Sequence, residues 1–263
     1  MSILFSGDFH ANEGNELHSI TKRTLIKKYQ KEKYNKIKYH IILGDGGFLW
    51  PGNQKTDHFN FNTLAYRPFP VLCVQGNHEP ILGIKNLPEV DIGIGETVYQ
   101  IRAEPFFAYL KRGKVYLIDD IKFLVLGGAL SVDKAYRKPN KTWWEREYWT
   151  EKEKQDVFNL IETVNTFDCV LSHTGPHRIN KKLFYDGISY NNKFIDEVAI
   201  LNDDIHERIQ FHEWWCGHWH RNVYHYNSKS KHGYQYLYRE TKILEKLNKN
   251  LIVHNEFGMT KRS

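Results

Sequence analysis

Five short motifs place oxygen- and nitrogen-bearing side chains directly after apolar runs of the chain. In order along the 263-residue sequence they are Gly-Asp-Phe-His at 7–10, Gly-Asp-Gly-Gly at 44–47, Gly-Asn-His-Glu at 76–79, Ser-His-Thr-Gly-Pro at 172–176 and Gly-His-Trp-His at 217–220. The polar side chains that they supply are Asp8, His10, Asp45, Asn77, His78, His173, His218 and His220. Mixed oxygen and nitrogen donors without a thiolate favour divalent Mn, Fe, Zn or Ni over a structural zinc site. The motifs therefore predict a metal centre.

The spacing within two motifs suggests how they would bind. Asp8 and His10 are separated by one residue, and so are His218 and His220. Because alternate residues of an extended segment point to the same side, we expect each pair to chelate and Trp219 to turn into the core.

A site with two metals about 3.5–4 Å apart needs a bridging carboxylate, and we expect Asp45 to be that bridge. Cys73, Cys169 and Cys216 lie near the motifs but are expected to be small buried groups and not ligands. Their odd number and scattered positions argue against a disulfide framework and favour a reducing compartment, the cytoplasm.

The elements that must position the first three motifs alternate between strand and helix. Apolar runs at 2–6, 39–43 and 71–75 each end at a glycine, which is typical of buried strands. Residues 17–34 have an amphipathic pattern that predicts a helix, and 59–66 can form a shorter one. This order predicts a parallel sheet with ligands at the carboxyl ends of its strands.

The rest of the chain has shorter apolar segments and fewer signs of alternating strands and helices. Short segments predict antiparallel strands and hairpins, with a turn at Asp119 and Asp120. A helix is expected from 151 to 164, where Thr150 and Glu153 form a capping box, followed by a buried strand at 168–172. The remaining predicted strands are 97–101, 106–110, 114–118, 122–126 and an edge hairpin at 234–238. We predict a single domain over 1–263.

The ordered set of motifs resembles the calcineurin-like metallophosphoesterase superfamily over residues 3 to about 225. Residues 127–144 are similar to a bacterial and phage branch of that superfamily. The resemblance implies an α/β fold, a four-layer α/β/β/α sandwich of two mixed β-sheets flanked by helices. It places a dinuclear metal site at the carboxyl ends of the strands, with two divalent ions, of which Mn²⁺ is the first expectation and Fe, Zn or Ni the alternatives.

The same resemblance assigns roles to individual residues. One metal is held by Asp8, His10, Asp45 and His220, and the other by Asp45, Asn77, His173 and His218. A hydroxide that bridges the metals attacks phosphorus in line, and His78 donates a proton to the leaving group. Asp45 and His78 are thus the implied catalytic residues.

The second motif departs from the protein serine/threonine phosphatases of the superfamily. Phe48 and Leu49 stand where those enzymes carry an aspartate and an arginine, which leaves open what orients His78. Asp133 and Arg137 are candidates for orienting His78 and binding phosphate, because a fixed cation near the metals would be useful. The alternative for this pair is a surface salt bridge.

Composition bears on the substrate. The 37 lysines and arginines outnumber the 31 aspartates and glutamates, and the net charge of +6 favours an anionic phosphoester substrate. Aromatic residues at 143, 144, 148 and 149 could stack on a nucleobase, although core packing is the commoner role of such rings. No apolar stretch is long enough to cross a membrane, and the composition leaves the oligomeric state open.

The expected activity is phosphoester hydrolysis by a phosphomonoesterase of nucleotide or phosphoprotein type. The alternative within the superfamily is a phosphodiesterase or nuclease that acts on nucleic acid or cyclic nucleotides. A non-catalytic scaffold on the same fold would be expected to lack ligands, whereas every ligand is present here. A nucleic-acid-binding module without chemistry would need a dense basic run, and the sequence has none.

Overall fold

The computed structural model of the chain describes residues 2–10, 21–49, 68–104, 106–131, 133–184, 196–247, 250–255 and 258–262. The strands are β1 Ser2–Ser6, β2 Ile37–Ile42, β3 Val71–Cys73, β4 Glu89–Val90, β5 Val98–Arg102, β6 Phe107–Tyr109, β7 Lys114–Ile118, β8 Ile121–Val125, β9 Cys169–Leu171, β10 Glu213–Cys216, β11 Val223–Asn227, β12 His232–Tyr236, β13 Thr241–Leu247, β14 Asn250–Asn255 and β15 Gly258–Arg262. The helices are α1 Lys22–Tyr34, α2 Ile81–Lys85, α3 Glu151–Thr163, α4 His177–Phe184 and α5 Glu197–His206.

The strands form two mixed sheets. The first has the order β15-β14-β13-β1-β2-β3-β6-β5-β4, and the second has the order β11-β12-β10-β9-β8-β7. In the first sheet β1, β2, β3 and β6 run parallel, and in the second β12, β10, β9 and β8 do. The predicted parallel arrangement of the first three strands is confirmed.

The two sheets pack face to face, and helices cover their outer faces. Phe5 of the first sheet stacks on Trp215 of the second with ring centroids 4.6 Å apart. On the outer face of the first sheet Leu25 and Tyr29 of α1 are buried, and α3, α4 and α5 cover the second sheet. This is the predicted α/β/β/α sandwich. The central strands β3 and β9 are apolar throughout because both of their faces are covered.

Several predicted elements have different bounds in the structure. Helix α1 begins at Lys22 after the capping residue Thr21, whose side chain accepts from the amide of Thr24. The predicted residues 17–20 and the predicted helix at 59–66 lie outside the described residues. The edge hairpin predicted at 234–238 is present as β11 and β12, but β12 is its inner, buried strand between β10 and β11, and β11 forms the edge.

The start of α3 anchors the loop that precedes it. The predicted capping box of Thr150 and Glu153 is present. Glu153 also accepts from the buried guanidinium of Arg112, with Nη2 at 2.8 Å from Oε2, and from Lys85 at 2.6 Å. Trp149 packs beside Arg112 and donates to the carbonyl of Gly127 at 2.7 Å. This cluster holds residues 127–150 against the second sheet.

We expect Glu153→Gln to lower the free energy of unfolding by about 2–3 kcal/mol at neutral pH, because it leaves the buried Arg112 charge without its carboxylate. Although burial alone would raise it, Arg112 lowers the pKa of Glu153 well below its ordinary value of 4.5. The stabilisation is therefore present above about pH 4.5 and is lost as the pH falls. Urea unfolding of both proteins at pH 7 and pH 4 should show the difference shrinking at the lower pH.

The matched control for this prediction is Asp156→Asn on the same helix. Asp156 pairs with Lys152 at 2.9 Å, but both side chains are exposed. We expect a change within about 0.5 kcal/mol, because exposed ion pairs contribute little. Equal effects of the two substitutions would contradict the role given to Arg112 and Glu153.

Among the described residues, no helix is long and apolar enough to cross a membrane.

Candidate metal centre

The polar residues of the five motifs meet where the carboxyl ends of the two sheets adjoin. The first sheet contributes the residues that follow β1, β2 and β3, and the second contributes those that follow β9 and β10. From the first sheet come Asp8, His10, Asp45, Asn77 and His78, and from the second come His173, His218 and His220. Distances between them and shared ring contacts join all eight in one cluster.

The backbone at this cluster is left-handed. The φ angles are 49° at Asp8, 42° at His10, 48° at Asp45, 66° at His218 and 47° at His220. The expectation that the two His-containing pairs lie on extended segments is therefore wrong. Each pair sits in a tight turn just past its strand, a conformation that costs about 1–2 kcal/mol per residue and concentrates at functional sites.

Trp219, between the last two histidines, faces away from the cluster. Its ring is half-buried and stacks on Phe184 of α4 with centroids 4.9 Å apart. It packs on the outer face of the second sheet and so holds the turn that carries His218 and His220.

One group of donors lies at the exposed side of the cluster. Asp8, His10 and His220 each offer an atom within 4.8 Å of the others. Nε2 of His10 lies 3.2 Å from Nε2 of His220 and 3.8 Å from Oδ1 of Asp8. Tyr238 stacks on His220 with centroids 4.5 Å apart and limits the motion of its exposed ring.

A second group is buried around His173. Oδ2 of Asp45 lies 3.2 Å from Nε2 of His173, and Oδ1 of Asn77 lies 3.0 Å from the same nitrogen. Nδ1 of His173 donates to the carbonyl oxygen of Leu43 at 2.8 Å, which directs Nε2 into the cluster. The ring of His218 lies 5.1 Å from that of His173, centroid to centroid.

Asp45 lies between the two groups. Its Oδ2 atom is 3.8 Å from Nε2 of His10 and 3.8 Å from Nε2 of His78, besides the contact to His173. Its Oδ1 atom accepts from the backbone amide of His78 at 2.9 Å, which fixes the carboxylate. One oxygen is thus held by the backbone, and the other faces histidines of both groups.

The surroundings of the Asp8 carboxylate also indicate a site for a divalent cation. Both carboxylate oxygens of Asp8 are buried, and no donor among the described residues makes a well-formed hydrogen bond to them; the backbone amide of His218 stabilises the charge only weakly. Burial, with the neighbouring charge of Asp45, raises the pKa of Asp8 well above its ordinary value. A buried carboxylate without a well-formed hydrogen bond is costly, and a bound cation is the partner that relieves the cost.

In contrast to Asp8, Asp45 is stabilised in its ionised form by the surrounding chain. Burial opposes ionisation, but the charges of His173, His78 and His10 and a hydrogen bond to His173 hold the pKa of Asp45 well below its usual range. The cluster therefore contains one carboxylate stabilised by the chain and one that the chain leaves unsatisfied.

Two glycines permit this close approach. A Cβ atom on Gly44 would lie 2.3 Å from Nδ1 of His173, and one on Gly76 would lie 2.1 Å from Oδ1 of Asp45. Glu79, fully buried, joins the same two loops by accepting from the amides of Gly46 and Gly76. The glycines that open the second and third motifs are thus required by the packing of neighbouring ligands.

Arg137 reaches the cluster from the loop after β8. Its Nη1 atom lies 2.9 Å from Nδ1 of His78, and its Nη2 atom lies 3.2 Å from Nε2. Nε donates to Oδ1 of Asp133 at 2.6 Å, and Nη1 donates to the carbonyl of Thr142 at 2.8 Å. Asp133 and Arg137 do form a salt bridge, and its arginine end lies against His78. Burial, with the Arg137 charge, lowers the pKa of His78.

The other sequence features are mostly structural. Cys73, Cys169 and Cys216 are buried and free, as predicted. Trp144 and Trp149 are buried, which favours core packing over a stacking surface for that stretch. Sequence reasoning missed Ser131 and the fully buried Glu147, which lie behind Asn77. The available signal was an acidic residue inside the aromatic-rich stretch 143–149.

Comparisons with known proteins identify the family of the chain. The calcineurin-like phosphoesterase family matches residues 1–254. No protein of curated function matches the sequence. A dimetal phosphatase from Danio rerio is 8% identical, with coverage of 100% of this chain and 98% of that chain and a TM-score of 0.51. A phosphopantetheinyl hydrolase from Mycobacterium tuberculosis is 12% identical, with 90% of each chain covered and a TM-score of 0.47.

An archaeal phosphodiesterase is 11% identical, with coverage of 97% of this chain and 99% of that chain and a TM-score of 0.41. At 8% identity the likeness to the dimetal phosphatase bears on the fold alone. The family match is of another kind, since it spans nearly the whole sequence, including all five motifs. This chain belongs to the calcineurin-like phosphoesterase family, a family of dinuclear metallohydrolases.

Proposed function

We propose that this chain is a phosphomonoesterase, and that the guanidinium of Arg137 against His78 is the feature that selects a monoester. A phosphomonoester carries a second negative charge that a diester lacks. Arg137 is 14% exposed and fixed by Asp133 and Thr142, so it offers an oriented cation beside the metal cluster. A planar guanidinium binds two phosphate oxygens at once, which suits a terminal phosphoryl group.

In this proposal Asp8, His10, Asp45 and His220 would hold one divalent cation, and Asp45, Asn77, His173 and His218 would hold the other. When bound, such ions neutralise phosphoryl charge and lower the pKa of a coordinated water. The donor set fits Mn²⁺ best, with Fe, Zn and Ni as alternatives, and metal analysis of the purified protein would identify the ions.

In this proposal His78 and Arg137 act on the leaving group and on the phosphoryl oxygens. Nε2 of His78 lies 3.8 Å from Oδ2 of Asp45, so the ring stands beside the point where the substrate phosphorus would sit. Burial and Arg137 oppose protonation of His78 in the free chain, and the negative charge of a bound phosphoester would favour it. The protonated ring can then donate to the leaving-group oxygen, the step for which a poor leaving group needs help. Arg137 orients the ring and binds the phosphoryl oxygens.

The test compares an aryl phosphate monoester with the corresponding diester in the presence of Mn²⁺. We expect Arg137→Ala to lower kcat/KM for the monoester at least about tenfold more than for the diester, because only the monoester has a second negative charge that loses its cationic partner. Lys138→Ala, an exposed cation on the same loop, is the matched control and should change neither. Equal losses on both substrates would contradict the proposal.

A phosphodiesterase acting on nucleic acid is the second candidate. The ring of Tyr136, next to Arg137 in sequence, is 93% exposed, and an exposed ring can stack on a base. Extending the panel to cyclic nucleotides and single-stranded oligonucleotides tests it. A higher kcat/KM for oligonucleotides than for any monoester, reduced by Tyr136→Ala, would favour this alternative.

Metal affinity should rise with pH. Burial opposes the charge of His173, but Asp45 and Asp8 raise its pKa to about 10 in the metal-free chain. Metal coordination requires the neutral ring, so binding releases a proton at any pH below that value. Calorimetric titration with Mn²⁺ in buffers of different ionisation enthalpy should detect the release, and the dissociation constant should fall as the pH rises from 6 to 8. A pH-independent constant would contradict ligation by His173.

We also propose that the chain forms one domain and works in the cytoplasm. The two sheets share one interior, with Phe5 and Trp215 in contact across it, which supports a single domain over 1–263. Three free, buried cysteines fit a reducing compartment and support a cytoplasmic location.

A further inference from the structure

Behind Asn77 lies a chain of hydrogen bonds that ends in a buried carboxylate. Nδ2 of Asn77 donates to Oγ of Ser131 at 3.0 Å, and Oγ of Ser131 donates to Oε2 of Glu147 at 2.6 Å. Asn77, Ser131 and Glu147 are 2%, 1% and 0% exposed. Water therefore has little access to these bonds, and the partners of each group are set by the protein.

The carboxylate of Glu147 has further donors. It accepts at Oε1 from the backbone amide of Ser131 at 3.2 Å and from Nε1 of Trp143 at 2.8 Å. Burial raises the pKa of Glu147, but the hydrogen bonds from Ser131 and Trp143 oppose that shift. A carboxylate that receives three donors is thereby favoured in its acceptor-only, ionised form. The hydroxyl of Ser131 must then donate its one hydrogen to Glu147.

This direction of donation decides how the carboxamide of Asn77 is turned. With its hydrogen committed to Glu147, Ser131 presents only a lone pair to Asn77, and a lone pair accepts from the amide nitrogen but not from the oxygen. The oxygen of Asn77 must therefore face the cluster, where it lies 3.0 Å from Nε2 of His173. A flipped amide would present NH₂ to the position of a cation.

From this geometry we infer that Glu147 and Ser131 are positioning residues, which set the orientation of the Asn77 amide and with it the affinity of the metal position that Asn77 serves. The inference rests on the proposed ligand role of Asn77. Outer residues that orient a ligand typically change metal affinity 10–100-fold when they are replaced.

The decisive variant is Glu147→Gln. The Gln carbonyl can still accept from the backbone amide of Ser131 and from Nε1 of Trp143. Its NH₂ group, however, would donate to Oγ of Ser131, so that the hydroxyl hydrogen would turn towards Asn77. Both hydrogen bonds of this relay, from Asn77 to Ser131 and from Ser131 to residue 147, would then reverse their direction of donation. The reversal would favour the flipped amide of Asn77. In titrations of the chelator-stripped protein with Mn²⁺, followed by the electron paramagnetic resonance of free Mn²⁺, we expect one of two positions to weaken at least about tenfold.

A second substitution separates this mechanism from a general loss of packing. Ser131→Ala removes the relay, so on its own it should weaken the position less than Glu147→Gln does. Added to Glu147→Gln, it should restore part of the affinity, because no hydroxyl remains to donate the wrong way. A double variant weaker than Glu147→Gln alone would overturn the inference, as would wild-type affinity in Glu147→Gln.

Two controls complete the design. Trp143→Phe removes one of the three donors to Glu147 but leaves both hydrogen bonds of Ser131 in place, so its loss of Mn²⁺ affinity should be smaller than that of Glu147→Gln. If Glu147→Gln fails to fold, as judged by thermal unfolding without metal, Ser131→Thr and Ser131→Val form an isosteric pair that differs only in the hydroxyl. The Thr variant should bind Mn²⁺ more tightly than the Val variant, and equal affinities would overturn the inference.

Asn77→Ala distinguishes the two levels of the proposal. If that variant keeps two Mn²⁺ positions, the proposed ligand set is wrong. If it loses one position while Glu147→Gln loses none, the ligand set stands and the positioning role of Glu147 and Ser131 fails.

Discussion

Asp45→Asn should abolish phosphoester hydrolysis, with kcat/KM on an aryl phosphate lower by about 10³-fold or more. The side chain is buried, and its Oδ2 atom lies within 3.8 Å of histidines from both donor groups. Asn keeps the size but removes the charge and places an NH₂ group at one of the two oxygen positions. Because the amide of His78 keeps the remaining Asn oxygen as its acceptor, the NH₂ group would face the cations. The variant then has no anionic oxygen for two cations to share.

Metal content should change together with the rate. We expect fewer than two Mn²⁺ per chain in Asp45→Asn by equilibrium dialysis at a concentration that saturates the wild type. Asp204→Asn on α5, where the side chain is exposed, is a control with the same chemical change and should retain rate and metal. Full activity of Asp45→Asn, or activity that survives exhaustive chelation of the wild type, would contradict a dinuclear mechanism.

His78→Ala should slow the reaction by an amount that depends on the leaving group. A poor leaving group such as an alkoxide needs a proton as the bond to phosphorus breaks, whereas a nitrophenolate leaves without one. We expect a loss of about 10²-fold or more on an alkyl phosphate and a much smaller loss on an activated aryl phosphate. Comparing kcat for the two substrates in wild type and variant measures this difference.

The metal content of His78→Ala decides between two explanations of a slow rate. If His78 acts as the proton donor and Asp45 holds the metals, the variant should still bind two Mn²⁺. His212→Ala, which replaces an exposed histidine, should change neither rate nor metal content. Equal losses on both substrates would remove the donor role from His78 and leave it to position Arg137.

The sheet that carries the first motifs was predictable because its rules are local. The apolar runs at 2–6, 39–43 and 71–75 end at glycines, and the structure has parallel β1, β2 and β3 at those places. Since parallel strands present their carboxyl ends at one edge, the gathering of Asp8, Asp45 and Asn77 follows from sequence spacing.

The geometry within each motif was not predictable in the same way. Period-two alternation suggested extended pairs, but Asp8, His10, His218 and His220 adopt left-handed turns. Only the packing of the two sheets against each other determines where those turns must point, and such packing leaves no periodic signal. The burial of β12 was missed for the same reason, because its alternating pattern resembles that of an edge strand.

The residues behind the site were the hardest to find. Glu147 has no motif of its own, and an acidic side chain in a loop is ordinarily exposed. Its burial depends on Ser131 and Trp143, which supply its donors from 16 and 4 residues away in the sequence. Sequence patterns show which groups can bind a metal, whereas the groups that orient those ligands become visible only in three dimensions.

The proposed ligands come from both sheets, so bound ions would act as cross-links between distant parts of the chain. His10 and His220, whose ring nitrogens lie 3.2 Å apart, are 210 residues apart in the sequence. A cation held by both opposes separation of the sheets, and partial opening of the sandwich would first require its release. Metal supply would then govern how long the folded protein survives proteolysis as well as how fast it works. A metal-starved cell would lose the protein itself, and restoring the metal would require new synthesis before activity returned.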